Sequence, residues 1–216
     1  LVVTFADSVN FYIQRYQMGI SERKQRQLEQ VRSAILAQSW QIVEEEGWDA
    51  LSIRRIADAI EYSTPVVYKH FESKEAIRSA FSQEGYALLA SRLHQAKRTH
   101  DRPTDQLMAL SQAYWAFAEE HPKHYQIMYG LGIPTCEMVR ETQEIMEVST
   151  VFHGTIEAAI QESKQPNADV HLKAMTFWSI LHGLVAMGMI AGPGDPQTAK
   201  RILEDATAGF IKALVE

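Results

Sequence analysis

The sequence predicts an all-α protein of about nine helices, and three observations carry that expectation. Apolar residues recur at i, i+3, i+4 and i+7 through most of the chain. No segment alternates apolar and polar residues as a strand would, and no repeat of roughly 20–50 residues is present. Glycine, proline, serine and aspartate fall between the periodic stretches, where helices start and stop. With 216 residues, 46% hydrophobic and 22% charged, the chain has the composition of a packed globular protein. A lone Cys136 leaves no intramolecular disulfide and fits a reducing cytoplasm. No apolar run approaches the roughly 18 residues needed to span a bilayer, so a membrane partner is not expected.

Residues 1–17 mix aromatic and polar residues without a clear helical period, and Met18-Gly19-Ile20-Ser21 reads as a natural start. The first 17 residues are therefore expected to be an extension. A long first helix follows, marked by Leu28, Val31, Ile35, Ile42 and Val43 and ended by Gly47. Trp48 and Leu51 form a small apolar clamp after it.

Ser52–Lys74 holds two short helical patterns joined by a tight corner. Ile53, Ile56, Ala57 and Ile60 make one apolar stripe, with Ser52 placed to cap it. Glu61-Tyr62-Ser63 turns the chain. A second helix, a rod of about nine residues, starts at Ser63/Thr64 with Pro65 in its first turn and Val67 and Phe71 inside. Two such helices at a sharp angle form a helix-turn-helix, whose second member can enter a major groove of double-stranded DNA.

Ile56-Ala57, Ser63, Val67-Tyr68, His70-Phe71 and Ser73-Lys74-Glu75, with Ile35-Leu36 and Gly47-Trp48 upstream, closely resemble the DNA-binding domain of the TetR family of bacterial transcriptional regulators. The chain departs from that family at Glu61, where glycine is common, and at Gln38-Ser39, where an alanine pair is common. Glu61 implies either a corner without left-handed backbone or a strained one. The resemblance implies that Thr64, Pro65 and Val66 face base edges, and that Tyr68, Lys69, His70 and Lys74 lie largely on phosphates. Ser52 and nearby amides could hold another phosphate. Pro65 replaces a smaller residue, so operator sequence does not transfer from relatives. Net charge is −6, yet phosphate neutralisation depends on local clusters such as Arg54, Arg55, Lys69 and Lys74.

Ser73 is expected to cap a helix running to about Lys97. Further helices are expected from Thr104 to His121-Pro122, around Tyr125–Tyr129, over about Glu137–Ser163, over Val170–Ala191 and over Gln197–Val215. Phe117-Ala118, Pro122, Tyr125, Met128 and Trp178…His182-Gly183 resemble the regulatory domain of one TetR subgroup, named for its Trp-His-Gly motif. The expected organisation is thus an extension over 1–17, a DNA-binding domain over 18–73 and an effector-binding and dimerisation domain over 74–216.

The interior of the last of these is rich in aromatic residues and methionine. Tyr114, Trp115, Phe117, Tyr125, Met128, Tyr129, Met138, Phe152, Trp178 and His182 are the candidates for a pocket that takes a small apolar or aromatic effector. Residue by residue, ordinary core packing is the better account of most of them, with a subset left to line a cavity, and His182 reads better as a buried, hydrogen-bonded histidine than as a ligand contact. Gly183 would let another helix approach closely. Leu181, Leu184, Val185, Ile202, Phe210 and Leu214 are candidates for an intersubunit four-helix bundle, giving a homodimer. His121-x-x-His124 lacks the further ligands of a metal site, and no phosphate loop, nucleophile elbow or zinc-protease helix calls for a cofactor or a catalyst. The expectation is a cytoplasmic, effector-released homodimeric repressor. An activator or interaction module without effector, and a helical-bundle enzyme, are the alternatives.

Overall fold

The computed structural model describes the backbone of residues 5–130, 143–192 and 194–216 and, within those ranges, the side chains from residue 22 onward. Among the described residues there are nine α-helices and no strand: α1 (Phe5–Glu46), α2 (Ile53–Ala59), α3 (Thr64–Tyr68), α4 (Lys74–Lys97), α5 (Pro103–Glu120), α6 (Pro122–Tyr129), α7 (Gln143–Gln161), α8 (Val170–Ala191) and α9 (Pro196–Val215). The chain divides into two compact units, Leu1–Ile77 and Arg78–Glu216.

In the first unit, α1 buries Val31, Ile35, Ile42 and Val43 on one stripe. It begins at Phe5, so the helix runs through the segment that showed no clear period; helical propensity outweighs a weak apolar pattern there. Gly47, at φ +86°, ends it, as only glycine does without strain. A short three-ten turn, Trp48–Ala50, delivers the buried Leu51. Ser52 then caps α2, its hydroxyl accepting the Arg55 amide at 3.3 Å, and Ile56 and Ala57 enter the core.

The corner after α2 is left-handed. Glu61 sits at φ +58°, so the chain accepts a strained residue where glycine would be free. Ser63 occupies the position before α3 but makes no side-chain cap bond. The α-helix proper lasts five residues rather than the expected nine. Past Tyr68 the backbone bonds become mixed: Lys69 donates to both Pro65 and Val66, and His70 to Val67 at 3.0 Å. That three-ten-like tightening closes the segment and turns Phe71 inward, where it is buried.

The second unit is centred on α5, which touches α6, α7, α8 and α9. Leu107, Leu110, Tyr114 and Phe117 project from one face of α5 and are fully buried. Asp169 caps α8 through the Leu172 amide at 3.0 Å, and Asp195 caps α9 through the Thr198 amide at 2.9 Å. Hydrogen bonds from Thr198 hold the Asp195 carboxyl below its usual range. Between α4 and α6 the approach is close: a Cβ at Gly85 would fall 2.5 Å from the Met128 Sδ. The expected beginning of the α7 helix at Glu137 lies outside the described residues.

Helix α8 departs from the expectation that no segment is apolar and long enough to span a bilayer. Its 22 residues pass that test, with a mean hydropathy of 1.6 over 18 of them. The reason is that α8 is apolar on two opposite faces. Ala174, Phe177, Leu181 and Val185 are buried in the core. Leu172, Met187 and Ile190 lie on the other face and are exposed, Met187 at 69% and Ile190 at 83%. Gly183 falls on that exposed face with no other side chain or helix within 4 Å of a would-be Cβ. Among the described residues it therefore serves no close helix approach.

Candidate nucleic-acid interface and ligand cavity

The motif presents its polar side chains outward because its apolar ones are anchored. Val67 is fully buried, which fixes the rotation of α3 and puts Pro65, Tyr68 and Lys69 in solvent. Thr64, Val66 and His70 are half-buried beside them. Tyr68 is 53% exposed and so does not pack away between helices. Lys74 is half-buried, its ammonium 4.9 Å from the Trp48 ring centroid. This cation–π contact holds the charge at the start of α4. Ser52 is exposed, with its hydroxyl engaged as the α2 cap.

The neighbouring cations are not equivalent. Arg55 makes a two-bond pair with Glu46, at 3.0 and 2.5 Å, and also reaches the Ala50 carbonyl. The hydrogen bond from Arg55 holds the Glu46 carboxyl below its usual range. Arg55 thus braces α2 against α1, whereas Arg54 is exposed in a loose 3.8 Å pair with Asp58. Tyr62, 45% exposed at the corner, is an aromatic on this surface that sequence reasoning passed over. Its only signal was an aromatic in a turn too short to bury it.

In the second unit a cavity of about 280 Å³ opens between four helices. Tyr86 of α4 and Tyr129 of α6 form one side, and Ala174, Met175 and Trp178 of α8 another. Val148, Phe152 and Ile145 of α7 supply most of the remainder, with Ser149 and His153 as its polar residues. Of the predicted pocket residues, Tyr129, Phe152 and Trp178 line this space. Tyr114, Phe117, Tyr125 and Met128 are buried in the core instead, and half-buried Trp115 packs beside Gly188. Met138 lies outside the described residues. Tyr86 was missed although it shares the buried stripe of α4 with Leu89, Ala90 and Leu93, because that spacing does not report which member of the stripe borders a cavity.

Behind the cavity runs a chain of hydroxyls. Tyr114 and Tyr125 bond at 2.9 Å, and Tyr125 bonds His182 Nδ1 at 2.7 Å. Trp178 stacks on His182 with centroids 4.9 Å apart and planes 12° from parallel. Tyr129 lies 4.7 Å from the same imidazole and 5.8 Å, edge-on, from Tyr86. Burial pushes the phenols of Tyr86, Tyr114, Tyr125 and Tyr129 up and the His182 imidazole down. Every member is therefore neutral near pH 7. His182 is the hydrogen-bonded, stacked histidine that its position suggested.

Elsewhere, His124 is buried and its imidazole is pushed down to about 4, first by burial and then by His121. His153 and His171 approach at 3.3 Å between α7 and α8. No group of three or more histidine, cysteine, aspartate or glutamate side chains suited to a metal occurs among the described residues.

Of the predicted dimer residues, Leu181, Val185, Phe210 and Leu214 are buried in the chain's own core, and Leu184 is half-buried against it. Ile202 is 49% exposed. The apolar stripe read from the sequence is real, but a helix with two apolar faces does not announce which one its own core takes.

Two family models match the chain. Residues 35–81 match that of bacterial regulatory proteins of the tetR family, and residues 107–210 match the tetracyclin repressor-like C-terminal domain. An uncharacterised HTH-type transcriptional regulator of Mycobacterium tuberculosis is 24% identical over 169 residues, 77% of this chain and 74% of its own. The HTH-type transcriptional activator FasR of Mycolicibacterium smegmatis is 26% identical over 159 residues, 73% and 68% of the two chains. Among solved structures, a protein of unknown function from Rhodococcus sp. RHA1 superposes with a TM-score of 0.69 at 23% identity, over 86% of this chain and 95% of that one. The regulator FadR of Bacillus subtilis, in complex with stearoyl-CoA, gives 0.60 at 16% identity, over 85% and 97%.

Proposed function

Because the chain belongs to the tetR family of bacterial regulatory proteins, and is a DNA-binding regulator rather than an enzyme, we propose that it acts as a homodimeric repressor that a small molecule releases from a pseudo-palindromic operator. The observation that carries the ligand-responsive part is the aromatic-walled cavity of about 280 Å³ inside the second unit. Such a concave, apolar space with a few polar groups is the form of a small-molecule site.

In this reading Thr64, Pro65 and Val66 face base edges. Thr64 offers a hydroxyl, and the apolar surfaces of Pro65 and Val66 suit thymine methyls. Tyr68, Lys69, His70 and Lys74 position the helix on phosphates, with Ser52 and the α2 amides at another. A second copy sets two reading helices about one DNA turn, ~34–36 Å, apart. The uncovered face of α8, with Leu172, Gly183, Met187 and Ile190, is the surface a second copy would cover. A ligand that prefers the form with the wrong spacing shifts the population away from DNA. A 100-fold loss of operator affinity requires a preference of about 2.7 kcal/mol.

Fluorescence anisotropy on an operator selected from a pool of random duplexes tests the reader. Tyr68→Ala and Lys74→Ala should weaken binding on all sequences by about tenfold, and Thr64→Ala should change base preference. Equal losses from all three on every sequence would refute the division of roles. Ile190→Glu should give a monomer by light scattering, since its side chain is outside the core. An unchanged dimer would remove α8 from the interface. The sign of control has a specific alternative, because one relative is an activator. Reporter output falling, rather than rising, when the gene is deleted would establish activation.

A further inference from the structure

We infer that the cavity between α4, α6, α7 and α8 selects an uncharged ring compound, of about one or two fused rings and one hydrogen-bonding oxygen, over carboxylates and acyl-CoA thioesters. This rests on the cavity being the effector site and narrows what that site takes.

Size is the first constraint. At about 280 Å³ the space falls at the low end of the roughly 300–1,000 Å³ usual for ligand pockets, which suits one or two fused rings better than a whole acyl-CoA. Wall chemistry is the second. The described lining residues include no lysine, arginine, aspartate or glutamate. A carboxylate entering would lose its hydration with no countercharge among the described lining residues to replace it. Both ring nitrogens of His153 are engaged within the protein, Nδ1 at the Ser149 carbonyl at 3.0 Å and Nε2 at His171 at 3.3 Å, so neither is turned to an entering carboxylate. Burial also keeps the phenols on this side protonated, so they remain donors to a neutral oxygen.

Shape is the third. Trp178 and Tyr129 offer ring faces, and the stack of His182 on Trp178 at 12° fixes the plane of the indole. A flat ring lies against such a wall, where stacking adds to burial. The polar partner is Tyr86. Its hydroxyl donates to the Met128 carbonyl at 3.4 Å, a long bond that a ligand oxygen can replace.

The test titrates the full chain at pH 7.5 with 2-naphthol, 2-naphthoate, naphthalene and decanoyl-CoA, following tryptophan fluorescence and calorimetry. Expected is 2-naphthol binding about tenfold or more tighter than 2-naphthoate. Tyr86→Phe should weaken 2-naphthol about three- to tenfold while leaving naphthalene unchanged. Val148→Trp, which fills the cavity, should abolish 2-naphthol binding. Should that variant not fold, Met175→Trp fills the same space from a partly exposed position. Equal or tighter binding of 2-naphthoate or decanoyl-CoA would overturn the inference. So would 2-naphthol affinity unaffected by either filling variant. Binding of 2-naphthol in the cavity without any change in operator affinity would support the ligand class and refute the effector reading, so the two fail separately.

Discussion

In the first unit Tyr62 and Tyr68 stand 45% and 53% exposed, whereas in the second Tyr114 and Tyr125 are fully buried with their hydroxyls 2.9 Å apart. The same residue type thus does two different jobs. In the first unit the core is made of aliphatic residues and Phe71, and its purpose is to hold α3 at one rotation. What matters there projects outward. In the second unit aromatic residues share the core with aliphatic ones, and they wall a cavity and surround a neutral hydrogen-bond chain. Such chains are costly to break, because a buried partner left unsatisfied loses its hydration without replacement. The difference teaches where substitutions should be read: in DNA affinity for the first unit, in stability and ligand binding for the second.

The largest effect should come from Phe177→Ala. Phe177 is fully buried, stacked on Phe210 at 4.7 Å and edge-on to Phe152 at 5.8 Å. Removing it should destabilise the second unit by about 3–5 kcal/mol in urea unfolding. Hydrogen exchange at the amides of Ile56 and Val67 should hardly change. An equal loss of protection at those amides would erase the distinction between the units.

The sequence made the first unit legible because its determinants are local. The Ser52 cap and the inward positions of Val67 and Phe71 follow from residues within one or two turns, and spacing alone exposes them. Even there, Glu61 left two backbones open, and only its φ of +58° decides between them. The buried Ser39, where an alanine is common in relatives, has no hydrogen-bond partner for its hydroxyl, which periodicity had no means of showing. The second unit was legible as helices and not as a site. Tyr86 and Phe152 meet across helices 66 positions apart, and no local pattern reports which aromatic residues face a cavity and which fill the core. On α8 the same limit applies: Leu181 and Val185, read as candidates for a dimer face, are buried in the chain's own core, because both faces are apolar and tertiary packing chooses between them.

A smaller effect should appear on acidification. The imidazole of His124 is pushed down to about 4 when folded, against 6.5 for an exposed histidine. Between those values the unfolded chain binds a proton that the folded chain does not. Stability is therefore full above pH 6.5 and falls as pH drops toward 4. The loss from this group should reach roughly 2 kcal/mol at pH 5. His182 is shifted the same way by burial and adds to the fall. Comparing urea midpoints of the wild type and His124→Phe at pH 7.5 and 5 measures it. If both proteins lose the same stability, burial of His124 is not the cause, and the second unit has no acid-sensitive interior of this kind.

The smallest change bears on whether outward residues of the first unit serve only DNA. Ser52 caps α2 through the Arg55 amide, and it is also the residue proposed to meet a phosphate. Ser52→Ala should cost about 1 kcal/mol of stability from the lost cap, and its DNA affinity alone would not separate the two roles. Ser52→Asp separates them. Aspartate caps a helix as well as serine does, so stability should stay within a few tenths of a kcal/mol of wild type. The added negative charge beside a phosphate should weaken operator binding several-fold, and more so at low salt, where screening is weak. Wild-type affinity in Ser52→Asp at 50 mM salt would mean that no phosphate approaches this hydroxyl. Ser52 would then belong with Val67 among the residues that hold the reading helix rather than among those that touch DNA.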